Sequence, residues 1–217
     1  MFPKPARADP PAHVQPTSSP DHQSVFLNVP FDREYTDLFV TLIAALTGLG
    51  RKPRCVLEVP ASGRDRLDRI FLLLSGCGTS VHDLSRVSLS GALKVPRFNM
   101  PFELGLAYCL SKHSDHRFFV LEEQTFRLQA TLSDLNGHDP HIHEGSQDGI
   151  LSCILDCFGT PGGTPSPRHL RTLATKLSRI VQRLQREQNR DDPFSPHLFR
   201  RTVEAAAELA RLAGLIE

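Results

Sequence analysis

Three short stretches hold the residue types that could act on a small ligand. They are Asn28-Val29-Pro30-Phe31-Asp32, Val81-His82-Asp83-Leu84-Ser85-Arg86, and Arg97-Phe98-Asn99-Met100-Pro101-Phe102-Glu103-Leu104-Gly105-Leu106-Ala107. Glu103 is the strongest of the candidates. Asn99 can cap the helix that begins there, which would place Glu103 four residues on, in its first turn. A capping box needs a spacing of three, so capping does not account for this glutamate. The helix N-terminus favours the ionised carboxylate. Such a group can stabilise an oxocarbenium-like transition state or form a covalent glycosyl intermediate. The alternative is a first-turn glutamate that only complements the helix dipole.

The other candidates each have a plainer reading beside the chemical one. Asp83 and Ser85 follow an apolar strand and can face a ligand, or can cap the loop. Asn28 can hydrogen-bond a ribose or a base, and Asn after a strand is also a common turn residue. Phe31 and Phe102 can stack on a base, or belong to the core. Arg64, Arg66 and Arg69 can bind phosphate; interleaved with Asp65 and Asp68, they also suit a solvated helix face. His141 and His143 would share a face of a strand, as zinc ligands can, but no cysteine or glutamate cluster accompanies them and no metal site is expected. Neither a G-x-G-x-x-G fingerprint, a Walker loop nor a G-x-S-x-G elbow is present.

The elements that position these residues follow from hydrophobic patterning. Ser24 to Val29 is a short, nearly continuous apolar run, as in a strand buried on both faces. Asp32 can cap the next helix, whose stripe is Leu38, Leu42, Ile43 and Leu46 and whose end is marked by Gly48 and Gly50. Further strands are predicted at Arg54–Glu58, Thr79–Leu84, Arg117–Glu122 and, briefly, His141–His143. Helices are predicted at Arg64–Leu74, with Leu67, Ile70, Phe71 and Leu74 inside, at Asn99–Leu110 and at Gly149–Phe158. Alternation of strand and helix implies an α/β fold: a doubly wound parallel sheet, helices on both faces, in flavodoxin-like order.

Residues 1–22 read as a leader too rich in Pro and polar residues to build a core, and 23–158 as the α/β domain. The stretch 159–167 is a Gly/Pro linker. Residues 168–217 form a C-terminal helical pair, Arg168–Gln188 and Pro196–Leu215, broken at Asp191-Asp192-Pro193. One stripe is Leu170, Leu173, Leu177, Ile180, Val181 and Leu184; the other is Val203, Ala207, Leu209, Leu212 and Ile216. A two-helix hairpin cannot bury both stripes by itself. They must cover the sheet domain or a second copy of the chain, and the pattern leaves both open.

Composition narrows the function classes. With 25 Lys/Arg against 24 Asp/Glu, the formal charge is +1, so no overall field points to nucleic acid or to a membrane surface. From Arg168 onward there are ten Lys/Arg and six Asp/Glu, a basic tail that suits a solvated helix face. The five cysteines, Cys55, Cys77, Cys109, Cys153 and Cys157, lie mostly in apolar runs without a C-x-x-C pair. They read as reduced hydrophobes, and a cytoplasmic location is expected. No apolar run approaches the ~20 residues that span a bilayer.

Phe102-Glu-Leu-Gly-Leu-Ala107, an Asp83-Leu-Ser85 strand end, the Asn28-Val-Pro-Phe31 loop, Phe119-Val-Leu-Glu-Glu123 and Ser133-Asp-Leu-Asn-Gly137 occur here in that combination. In this the chain resembles the TIR-like and nucleoside 2-deoxyribosyltransferase-like superfamily over roughly residues 24–158. The resemblance implies a TIR-like fold and a catalytic role for Glu103 at the anomeric carbon of a ribose or deoxyribose. It implies a nucleotide pocket in which Asn28, Phe31, Asp83, Ser85, Asn99 and Phe102 bind substrate, and, because related domains are often active only when neighbouring subunits complete the pocket, it favours a homo-oligomer. The reaction it favours is cleavage of the N-glycosidic bond of NAD or a related nucleotide, with NAD as substrate and no cofactor, in bacterial defence or signalling. Deoxyribosyl transfer, another nucleotide N-glycosidase activity, and a silent nucleotide-binding assembly module are the alternatives.

Overall fold

The computed structural model describes residues 19–58, 66–86, 98–135, 137–161, 163–187 and 194–217. Residues 1–18 of the expected leader, Arg64, Arg97, part of the Gly/Pro linker and the Asp191-Asp192-Pro193 break lie outside the described residues.

Among the described residues five strands make one sheet. They are β1 (Asp21–Asn28), β2 (Lys52–Arg54), β3 (Cys77–Asp83), β4 (Arg117–Glu122) and β5 (His141–Ile142). Every pairing is parallel and the order is β2-β1-β3-β4-β5, the doubly wound arrangement expected. The helices are α1 (Thr36–Gly48), α2 (Arg66–Ser75), α3 (Asn99–His113), α4 (Arg127–Thr131), α5 (Gln147–Phe158), α6 (Pro167–Glu187) and α7 (Pro196–Leu212). Among the described residues no helix is long and apolar enough to cross a membrane.

Period-2 alternation along β1 divides the core. Val25 and Leu27 face α1 and α5, whereas Phe26 packs with Ile70 and Leu74 of α2 and Ala107 of α3. A further cluster, Leu84, Met100, Leu104, Val120 and Leu128, closes the α3 side under β4. Helix α1 is buried along its whole length from Phe39 to Gly48. A helix apolar all round needs cover on both sides, and here the sheet supplies one side and the C-terminal helices the other.

That cover decides what the tail does. Leu170, Leu173, Leu177 and Val181 of α6 are buried in the same core as α1 and α5, and Leu184 is buried further along the same stripe. Gly48 lets the helices approach: a Cβ there would sit 2.5 Å from a Leu170 methyl. The tail therefore packs back on its own sheet domain, and its stripes do not require a second copy of the chain. In α7 the buried positions are Leu198, Phe199, Thr202, Ala206 and Ala210, while Leu212 is exposed. Of the expected stripe, Val203, Leu209 and Ile216 are partly buried against the same core, beside these fully buried positions.

Several boundaries differ for local reasons. β1 starts at Asp21, inside the stretch read as leader. Its amide donates to the Gly76 carbonyl (3.0 Å), and its carboxylate accepts from the Gln23 amide and the Ser24 hydroxyl, both at 2.9 Å. β2 ends at Arg54, where a strand to Glu58 was expected. Glu58 takes Arg54 Nε and the Cys55 amide on its carboxylate and bends 56–58 into a 3-10 turn. Pro53 is tolerated because β2 is an edge strand. The predicted β4 matches its observed limits. Asp32 caps a 3-10 turn, Arg33–Tyr35, that leads into α1. Helix α4 and a 3-10 turn at Ser133–Leu135 have no counterpart among the predicted elements. All five cysteines are free thiols.

Candidate functional site

A cleft of about 320 Å³ opens where the sheet order reverses, at the carboxyl end of β1. Asn28, Val29, Pro30 and Phe31 form one wall. Asn99, Met100 and Glu103 of α3 form a second, and Arg66 at the start of α2 and Val56 complete it. This is where doubly wound sheets bind ligands. Four of the predicted site residues, Asn28, Phe31, Asn99 and Glu103, are thus brought together.

Helix α3 aims Glu103. Its buried positions are Met100, Glu103, Leu104 and Ala107, an i, i+3, i+4, i+7 stripe in which the glutamate occupies an apolar place. Asn99 is not the cap. Phe98 precedes the helix in helical geometry without a capping side chain, and Asn99 is the first helical residue, exposed at the cleft. Glu103 therefore lies one residue deeper than expected. The ionised form expected from the helix dipole is opposed by burial: with 6% of its surface exposed, the carboxyl is pushed up to about 7, although Arg66 acts in the opposite direction. A carboxyl poised near neutrality can serve as acid, base or nucleophile.

Asn28 is held from both sides. Its Nδ2 donates to the Met100 carbonyl and to His82 Nδ1, each at 2.9 Å. His82 continues through Ser80 Oγ (2.8 Å) and His116 Nε2 (2.9 Å) to the Cys77 carbonyl (2.9 Å from His116 Nδ1). Burial, with His116 nearby, lowers His82 to about 3, so its ring is neutral. Burial also lowers His116, against the Cys77 hydrogen bond. His82 was overlooked in the sequence. The register places it opposite Asn28, and that pairing is the signal that could have found it. Arg66, read mainly as part of a solvated face, lines the cleft instead.

Asp83, Ser85 and Phe102 do not join this cleft. Since His82 shares a face with Asn28, Asp83 points to the opposite face. There it is fully buried, accepting from the Tyr35 hydroxyl and from the Ser85 amide (2.9 Å), with His143 Nε2 at 3.2 Å. Burial works to raise Asp83, but these partners outweigh it and its pKa falls below the ordinary value; burial and Asp83 raise Tyr35 far above its own. The Ser85 carbonyl accepts from Arg127 Nη2 (2.5 Å), and Arg127 also pairs with buried Glu122. Asp83 and Ser85 therefore tie the strand ends together. Phe102 is 54% exposed on the outer side of α3. Phe31 does both things foreseen for it: it lines the cleft, and it packs on Phe39 and Phe194 with ring centroids 5.9 and 5.4 Å apart.

The two histidines weighed as zinc ligands diverge. His143 Nδ1 accepts from the Gly145 amide (3.0 Å) while its other nitrogen faces Asp83, and His141 packs edge-on to Phe119. Among the described residues no group of three His, Cys, Asp or Glu is placed to hold a metal ion. No protein-family model matches the chain, and neither a curated protein nor a solved structure matches it. What the cleft can do is read from its own residues.

Proposed function

We propose that the cleft binds NAD or a related nucleotide and hydrolyses its N-glycosidic bond, with Glu103 as the catalytic residue. The observation that carries this is a buried carboxyl, raised to about 7, lining a cleft at the switch point of a doubly wound sheet. A cationic nicotinamide ribosyl group would favour the ionised form there, since opposite charge nearby lowers a carboxyl pKa. The C1′–N bond breaks with its electron pair passing to the pyridinium nitrogen, which leaves as neutral nicotinamide. Glu103 stabilises the positive charge that develops at C1′, or bonds to it. Water then adds to C1′ and loses a proton, giving ADP-ribose.

Among the described residues lining the cleft, Glu103 is the one carboxyl group. This favours NAD over neutral nucleosides, whose bases need a proton to depart. Arg66 suits a phosphate of the same ligand. The partner on this reading is a small-molecule nucleotide. Self-association rests on the resemblance, in which a neighbouring subunit completes the pocket, and a role in bacterial defence rests there too. The test is incubation of the purified chain with NAD and, separately, with deoxynucleosides and free bases. Nicotinamide release is the expected result. Base exchange alone would assign deoxyribosyl transfer, and binding without turnover would leave an assembly module.

A further inference from the structure

The hydrogen-bond chain behind the cleft is anchored at both ends by backbone carbonyls, which only accept. At one end the Cys77 carbonyl requires a hydrogen on His116 Nδ1. Neutral His116 then accepts at Nε2 from the Ser80 hydroxyl, and Ser80 Oγ accepts from His82 Nε2–H. This leaves His82 Nδ1 as an acceptor for Asn28. At the other end the Met100 carbonyl also requires a donor from Asn28. Both hydrogens of the Asn28 amide are therefore committed, and the flipped amide would set its oxygen against the Met100 carbonyl. What remains is Oδ1, an acceptor with no partner among the described residues, on a side chain 4% exposed that lines the cleft beside Glu103.

We infer that Asn28 is a specificity residue whose fixed carbonyl oxygen accepts a hydrogen bond from the ribose 2′-hydroxyl, so that the cleft selects ribosyl over 2′-deoxyribosyl ligands. His82 and Ser80 are positioning residues that hold the amide in this orientation. The inference rests on the reading of Glu103 as acting at an anomeric carbon, because the 2′-hydroxyl is borne by the carbon next to it. A site built around a fixed acceptor discriminates against a ligand lacking the matching donor, because the acceptor, shut off from water by the bound ligand, is then left unpaired.

Two measurements test it. Nitrogen-15 chemical shifts of the wild-type imidazoles should show the hydrogen on Nε2 of His82 and on Nδ1 of His116; the opposite form at His82 overturns the assignment without any variant. Binding is then measured by calorimetry in Glu103→Gln, which removes turnover. The probes are NAD against its analogue lacking the nicotinamide-ribose 2′-hydroxyl, and adenosine against 2′-deoxyadenosine. The ribo form should bind at least about tenfold tighter, and adding Asn28→Ala should bring the ratio close to one. Equal binding of both forms in the Glu103→Gln parent, or a ratio that Asn28→Ala leaves unchanged, overturns the inference. A preference within the adenosine pair without NAD binding would refute the NAD reading and keep Asn28 in its role. Cleavage of NAD by the wild type with no preference would do the reverse, and failure of both pairs to bind would overturn both.

Discussion

Replacing Glu103 with Gln should stabilise the protein at alkaline pH while removing its activity. Gln keeps the volume and polarity of the protonated carboxyl but cannot ionise. In the folded chain burial lifts Glu103 from its ordinary 4.5 to about 7. Below pH 4.5 the group is protonated in both folded and unfolded chains, and the wild type and the variant should have similar stability. Between 4.5 and about 7 the unfolded chain ionises first, so the wild type loses stability at ~1.4 kcal/mol for each pH unit. Above about 7 both forms are ionised and the whole penalty is present. The rise from 4.5 to about 7 corresponds to about 3 kcal/mol. Urea denaturation of both proteins at pH 4 and pH 8.5 measures it. The variant should be more stable by about 3 kcal/mol at pH 8.5 and nearly equal to the wild type at pH 4. An active-site residue that costs stability is the expected trade-off. A variant no more stable at pH 8.5, or less stable at both pH values, would mean that the carboxylate is compensated in the fold, and the description of the cleft would be wrong.

Other outcomes follow from the packing. Leu177→Ala should cost about 2–5 kcal/mol in denaturation, because Leu177 is fully buried between α6 and the sheet domain. Leu177→Asp with Leu184→Asp should unfold the chain; light scattering that instead finds a folded protein of smaller mass would place the stripe at an interface between copies. Gly149→Ala puts a Cβ 2.0 Å from the His143 carbonyl oxygen, a clash with backbone, and a loss of about 1–3 kcal/mol or more is expected. Gly105→Ala, in α3 with nothing within 4 Å of the added atom, should instead gain about 0.5–1 kcal/mol by thermal melting.

The sheet was legible because β1 and β4 carry apolar runs and strand signals alternate with clear helix signals. β4 is bounded sharply by charged residues and its limits were readable. The first three residues of β1 are polar and exposed, so patterning could not include them. The end of β2 depended on Glu58 reaching back to Arg54, which a hydrophobic pattern does not report. The same division holds at the site. Glu103 stood out by its place near the start of a helix, one residue past the capping-box spacing, and by the Phe-Glu-Leu-Gly-Leu-Ala stretch around it; that it occupies an apolar stripe is seen only in the structure. Asp83 attracted attention as a strand-end carboxylate, but the face on which it lies depends on the register between β1 and β3. That register pairs Asn28 with His82, which sends Asp83 to the opposite side and brings an unremarked histidine behind the cleft. Arg66 is assigned to the cleft only once α2 is docked. The covering of α6 by α1 likewise depended on how the tail folds back, a long-range contact that two amphipathic patterns leave open.

Whether Glu103 acts on NAD is decided by nicotinamide release from NAD by the purified chain, followed across pH 5 to 9 for the wild type and Glu103→Gln. Release by the wild type should rise with pH and level off above an inflection near the Glu103 value of about 7, shifted downward where the cationic substrate binds. On the plateau above the inflection, Glu103→Gln should lose activity on the order of a thousandfold, and the gap should narrow about tenfold for each pH unit below it, as the wild-type carboxylate takes up its proton. Release that is equal in the two proteins, or no release by a folded wild type at pH 8, would contradict this role for Glu103.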